Sequence, residues 1–171
     1  MAGATLHRAY LLLGSNIDPE QHLPAACREL ARHGTIVCAS RVWESPPADG
    51  SAQANYLNAA VLLETACSAE ELRATILPRI ETALGRVRDP QDRYAARTID
   101  IDLALFNEAV HEVGGARIPD PDILTRAFVA VPLAEIDPGY VHPQTGQTLA
   151  EIAAALGGGA GLALRRDVEL L

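Results

Sequence analysis

Asp100 and Asp102 interrupt an otherwise apolar stretch, "RTIDIDLALF", residues 97–106. Ile99, Ile101, Leu103, Leu105 and Phe106 read as a buried β-strand. Because a strand alternates its faces, both acids point one way while Ile99, Ile101 and Leu103 point the other. Their Cα atoms lie roughly 6–7 Å apart. Two like charges at that distance repel by about 2.5 kcal/mol at an effective dielectric near 20. A divalent cation reverses that sign, and Mg²⁺ favours one or two carboxylates completed by phosphates and water. The competing reading is a strand with one solvated, acid-decorated face.

The neighbouring cations favour a site. Arg86, Arg88, Arg93 and Arg97 fall in the loop leading into the strand, and Arg126 lies further on. The planar guanidinium fork suits phosphate. The formal net charge is −8, so an anionic ligand must meet a local arginine cluster, and nucleic-acid binding is not expected. Other routes to phosphate or acyl chemistry are missing: there is no GxxxxGK[ST], no GxGxxG after a strand and no GxSxG. The five histidines lack metal-ligand spacing and read as surface or loop residues. Cys27, Cys38 and Cys67 have no CxxC spacing, which fits reduced thiols rather than zinc or a disulfide framework. No apolar run is long enough for a membrane span, and a cytoplasmic monomer is expected.

The elements that must position these groups follow from periodicity. "HRAYLLLGSN" is a strand ending in a turn. "DPEQHLPAACRELARHG" is a helix with Asp18 as N-cap, Pro19 at its first position and Gly34 after its end. "TIVCASRVWESPP" and "NYLNAAVLLET" are strands. "SAEELRATILPRIETALG" is a helix capped by Ser68, with Glu71 completing a capping box and Pro78 expected to kink it. The order βαββαβ implies an α+β, ferredoxin-like antiparallel sheet with helices on one face. Residues 1–156 are expected to form the domain. "PDILTRAFVAVPLAEI" reads as a short helix and an extended piece, and "TLAEIAAALGG" as a short helix. Residues 157–171 read as a glycine-rich link and a tail that either packs or stays mobile. Among the scarce aromatics, two are candidates to clamp a flat ring whose edge Asn58 reads; the alternative is that they are core.

In order, "YLLLGSN", "SRVWESPP", "NYLNAAVLLET", "IETALGRVR", "RTIDIDLALF" and "RAFVAVPLAEI" resemble the 6-hydroxymethyl-7,8-dihydropterin pyrophosphokinases of folate biosynthesis, from about residue 8 to about residue 156. The resemblance implies transfer of the β,γ-diphosphate of ATP to the pterin hydroxymethyl group, with release of AMP. It implies two Mg²⁺ ions on Asp100 and Asp102, with Arg86 and Arg97 completing the catalytic set and Arg88 a further loop arginine on phosphate. Tyr56 and Phe128 are implied as walls on the pterin, and Asn58, Ser45 and Ala48 as its edge readers. Gly14 lies where the first strand meets the pterin, and Tyr94 takes the place of a covering tryptophan. Glu81 and Arg126 are implied on the nucleotide side. So is Asp120, at a position where the family has a histidine that donates to ATP phosphates. Aspartate there cannot donate, so weakened ATP binding is expected unless a metal or arginine intervenes. Pro78 also stands where a polar nucleotide contact is usual. A pterin-binding module without transfer, favoured by Asp120, stays open as an alternative. A nucleotidyltransferase is disfavoured, because Gly14-Ser15 and Asp100 are too far apart in sequence for one strand-turn-helix unit.

Overall fold

The structure is a computed structural model describing residues 3–171. Its frame is a sheet of β1 (His7–Ser15), β2 (Thr35–Ala39), β3 (Val42–Ser45), β4 (Tyr56–Thr65), β5 (Asp100–Phe106) and β8 (Ala163–Arg165). The strand order is β5-β1-β4-β3-β8, with β2 also on β4 and every pairing antiparallel. A hairpin of β6 (His111–Val113) and β7 (Ala116–Ile118) stands beside it. The expected single strand over "TIVCASRVWE" is two. At its break, Ser40 Oγ accepts the Ala60 N–H at 2.8 Å, and the strand resumes two residues later on the same partner.

One face of the sheet is closed by α1 (Pro19–Leu30) and by a helical rod. The rod comprises α2 (Ala69–Glu71), a π-helical turn (Leu72–Ile76) and α3 (Leu77–Ala83). Ala9, Leu11 and Leu13 of β1, alternate residues of β4 from Leu57 to Leu63, and Ile101 and Leu103 of β5 pack there with Leu23, Leu30, Leu72 and Ile80. Ser68 Oγ accepts the Glu71 N–H at 3.1 Å, but the reciprocal half of the expected capping box is not made. Pro78 is taken up by the π turn: the Leu77 N–H reaches back to the Leu72 carbonyl. Proline lacks an N–H and clashes with the carbonyl four residues earlier, so a wider turn ahead of it relieves both faults. At the start of α1, Asp18 holds the N-cap position with a left-handed φ of 44° and makes no side-chain cap bond. Gly34 answers a packing need rather than a helix end. A Cβ there would meet the Glu64 carbonyl oxygen at 2.2 Å.

The other face is not open, as a one-sided ferredoxin-like sheet would leave it. Residues 121–136 form a 3₁₀ turn (Pro121–Leu124) and, after non-helical Thr125 and Arg126, α4 (Ala127–Ile136), and α5 (Leu149–Ala155) packs beside them. Val129, Ala130, Leu133, Ile152 and Ala153 cover Tyr10, Ala60, Leu62 and Leu105. The expected extended piece is overridden because a helix apolar on all sides can be buried against sheet and helix together. α5 carries a full capping box between Thr148 and Glu151. The C-terminal segment packs: β8 pairs with β3, and Val168 and Leu170 enter the first core. His142 lies in a loop and is buried there.

Candidate functional site

Asp100, Gly14, Asn58 and Trp43 are successive cross-strand partners on β5, β1, β4 and β3. One row of the sheet therefore carries an acid, an empty position and an amide. Gly14 and Asp100 are neighbours in space although far apart in sequence. α4 begins too late to cover this end of the sheet, and a hollow of about 490 Å³ remains. Gly14 is its floor: a Cβ there would lie 3.8 Å from Asn58 Oδ1 and 4.0 Å from a Tyr56 ring carbon. Tyr56, Phe128, Ser45, Ala48 and Tyr94 line it, with Arg86, Arg88, Arg97, Asp100, Asp102 and Asp120. Its size suits a small aromatic ligand with part of a phosphate chain.

The amide is fixed in advance. Asn58 Nδ2 donates to Ser45 Oγ at 2.8 Å and to the Trp43 carbonyl at 3.2 Å. Both of its protons are committed, which leaves Oδ1 as an acceptor toward the hollow.

The charged side is built around a residue whose central place sequence reasoning missed. Glu81, on α3, is buried. Its Oε1 accepts Arg86 Nη1 at 3.0 Å and the Ile101 N–H at 2.9 Å, and its Oε2 accepts Arg88 Nη2 at 3.0 Å. Ile101 is the residue between the two aspartates, so one carboxylate sets both the strand backbone and two loop arginines. Burial pushes the Glu81 carboxyl up, while the Ile101 N–H and the two arginines pull it down. Arg86 also bonds Asp100 Oδ1, and Arg97 Nη1 reaches Asp100 Oδ2 at 3.3 Å.

Asp102 is different. It makes no ion pair or side-chain hydrogen bond among the described residues. Its carboxyl is pushed up to about 7, first by burial and then by the negative charges of Asp100, Asp120 and Glu81. An under-compensated carboxylate beside a second acid on the same strand face fits a divalent cation. A hard, oxygen-seeking ion such as Mg²⁺ would supply the missing counter-charge.

A second hollow, of about 330 Å³, opens on the other side of the acids. Arg73, Ala74, Leu77, Pro78, Glu81, Arg88, Ile101 and Gly114 line it, and it shares Asp100 and Asp102 with the first. The two hollows meet at the carboxylates. Asp120 has a local task that explains its type: as N-cap of the 3₁₀ turn, its Oδ1 accepts the Asp122 N–H at 2.9 Å. Arg126 holds the N-cap position of α4, is exposed, and lines neither hollow.

Two further residues were not singled out by sequence reasoning. Asn16 exchanges hydrogen bonds with the Arg97 backbone, its Oδ1 accepting the N–H at 2.9 Å and its own N–H donating to the carbonyl at 3.1 Å. It also donates to Gln53 Oε1 at 3.0 Å, and Gln53 Nε2 donates to the Tyr94 carbonyl at 2.7 Å. This chain ties the arginine loop to the segment before β4. The only sequence signal was a polar residue just past a strand end, which reads as a turn.

A sheet row that joins a ring-sized hollow to paired carboxylates and arginines suits an enzyme that handles phosphate. The particular family follows from comparison. A profile of 7,8-dihydro-6-hydroxymethylpterin-pyrophosphokinase matches residues 10–138, and the chain belongs to that family. It is 37% identical over 150 residues to the 2-amino-4-hydroxy-6-hydroxymethyldihydropteridine pyrophosphokinase of Synechocystis sp., covering 85% of this chain and 74% of that protein. The protein of the same name from Methylorubrum extorquens is 40% identical over 152 residues, covering 87% and 93%. The fold resembles that of Plasmodium falciparum HPPK-DHPS crystallised with pteroate, at a TM-score of 0.68 and 13% identity. That match covers 89% of this chain and 43% of the longer one.

Proposed function

We propose that the chain transfers the β,γ-diphosphate of ATP to the hydroxymethyl group of 6-hydroxymethyl-7,8-dihydropterin, giving the pterin diphosphate and AMP for folate biosynthesis. The observation that carries this reading is the Asp100–Gly14–Asn58 row, which sets a ring-sized hollow beside paired carboxylates and arginines. The pterin lies over Gly14 between Tyr56 and Phe128, with its N–H edge on Asn58 Oδ1 and near Ser45 and Ala48. Tyr94 closes the rim. The nucleotide occupies the second hollow, so its triphosphate crosses the carboxylates toward the pterin hydroxyl.

Asp100 and Asp102 would hold Mg²⁺, two ions in this reading, and the metal when bound would supply counter-charge to the triphosphate. Arg86, Arg88 and Arg97 leave their carboxylate partners for phosphate oxygens, where their fork geometry is retained. The pterin oxygen forms a bond to the β-phosphorus as the bridge to the α-phosphate breaks, and AMP departs with that bridging oxygen. The hydroxyl proton passes to solvent. No side chain at the attacking oxygen acts as a strong base, and orientation with charge stabilisation supplies most of the rate. Arg126 serves the nucleotide only after moving in from the rim.

The test is AMP formation from ATP and Mg²⁺ with and without the pterin. Pterin-dependent AMP supports the reading. Pyrophosphate in its place, or no AMP from a folded sample that binds pterin, overturns it.

A further inference from the structure

Asp120 lines the first hollow beside the acids, where the triphosphate would cross, and cannot donate; Arg126 lines neither hollow. Two arginines face the second hollow: Arg88, which Glu81 holds, and Arg73. Arg73 lines the second hollow with Glu81, Asp100 and Asp102, is half-buried, and makes no ion pair or side-chain hydrogen bond among the described residues. Its position depends on the π turn. On an unbroken α-helix Arg73 and Glu81, eight residues apart, would point about 80° apart. A π turn takes up one extra residue and cuts that to about 20°. Leu72–Ile76 is such a turn, so Arg73 and Glu81 share the side of the rod that faces the acids. On its far side the guanidinium stem rests against the β6–β7 turn. A Cβ on Gly114 would lie 3.4 Å from Arg73 Nε, and the φ of +55° at Gly114 suits glycine. Arg73 is also the positive neighbour that pulls the Asp102 and Asp120 carboxyls down against their burial.

We propose that Arg73 binds a phosphate group of the nucleotide, supplying from the π turn the donor that Asp120 cannot be. The inference rests on the nucleotide occupying the second hollow. Arg73 turns toward the triphosphate when it enters, and lies near enough to Asp120 to offset its charge. The proline that removes a polar contact from the rod is thus the cause of the turn that brings an arginine in.

The experiment measures binding of α,β-methylene-ATP with Mg²⁺, and separately of the pterin, by calorimetry. Arg73→Gln keeps the aliphatic stem against Gly114 and removes the charge. It is expected to weaken analogue binding about tenfold or more and to leave pterin binding unchanged. Arg73→Lys recovers part of the loss. In an Asp120→His background the same Arg73→Gln change costs less, because a second donor is present. Unaltered analogue affinity in Arg73→Gln overturns the inference, as does an equal loss of pterin affinity, which would mark a structural role. If the unsubstituted chain binds pterin but not the analogue, the nucleotide reading falls first and takes the inference with it.

Discussion

The ring side and the phosphate side of the site are built on opposite principles. Gly14, Ser45 and Asn58 stand on paired strands, and the Asn58 amide is already committed to two acceptors. This side needs no rearrangement to receive a ring. Across the row, Arg86 and Arg97 hold Asp100, Arg86 and Arg88 hold Glu81, and Val87 of the same loop is exposed. In the proposed mechanism these arginines would exchange carboxylates for phosphate, so shape would be met by a preformed surface and charge by exchange of partners.

The contrast can be broken most forcefully at the acids. Asp100→Asn or Asp102→Asn should lower AMP formation about a thousandfold and leave pterin affinity within threefold. A loss confined to pterin binding would contradict the division of labour. Next comes the hub. Glu81→Gln removes the charge and one of the two acceptor oxygens that Arg86, Arg88 and the Ile101 N–H share, and should cost about 2–4 kcal/mol in urea unfolding with a slower transfer rate. Unchanged stability would show that the loop does not depend on it. A smaller effect is expected on the ring side. Gly14→Ala puts a methyl on the floor between Asn58 and Tyr56 without backbone strain, so pterin affinity should fall about tenfold while the melting temperature holds. A concurrent fall in the melting temperature would mean the floor is structural.

The smallest effect concerns stability and pH. The Asp102 carboxyl is raised to about 7, above the unfolded value near 3.9. In the folded chain without metal, its ionised form is therefore a cost that is full above pH 7 and fades as pH falls toward 4. Asp102→Asn should stabilise the metal-free chain by about 1–2 kcal/mol at pH 8, and by less at pH 5. Denaturant melts in EDTA at the two pH values decide it; an equal gain at both would remove Asp102 ionisation as the cause.

Much of the frame was legible because periodicity reports burial. β1, β4 and β5 are apolar runs of strand length, buried on both faces, and α1 and α3 repeat at helical spacing. The face shared by Asp100 and Asp102 was visible for the same reason. Three features were hidden because each depends on contacts made across the fold. The break at Ser40 needs the Ala60 N–H to explain it. The helicity of Ala127–Ile136 needs a sheet and a second helix to bury it. Glu81 could be placed on the nucleotide side by resemblance, but its grip on the strand backbone between the two acids could not be. Asp120 was visible as a departure; its reason, an N-cap bond to Asp122, required the turn.

β8 settles how this sheet meets other molecules. A free strand edge is a template for a second chain, and long flat edges invite fibrils. Here the edge beyond β3 is finished by only three residues, and Arg165 at their end is drawn to Glu20, Glu44 and Asp167. A strand so short and so charged gives an incoming chain little to continue. The C-terminal segment thus closes the β3 edge of the sheet against strand addition.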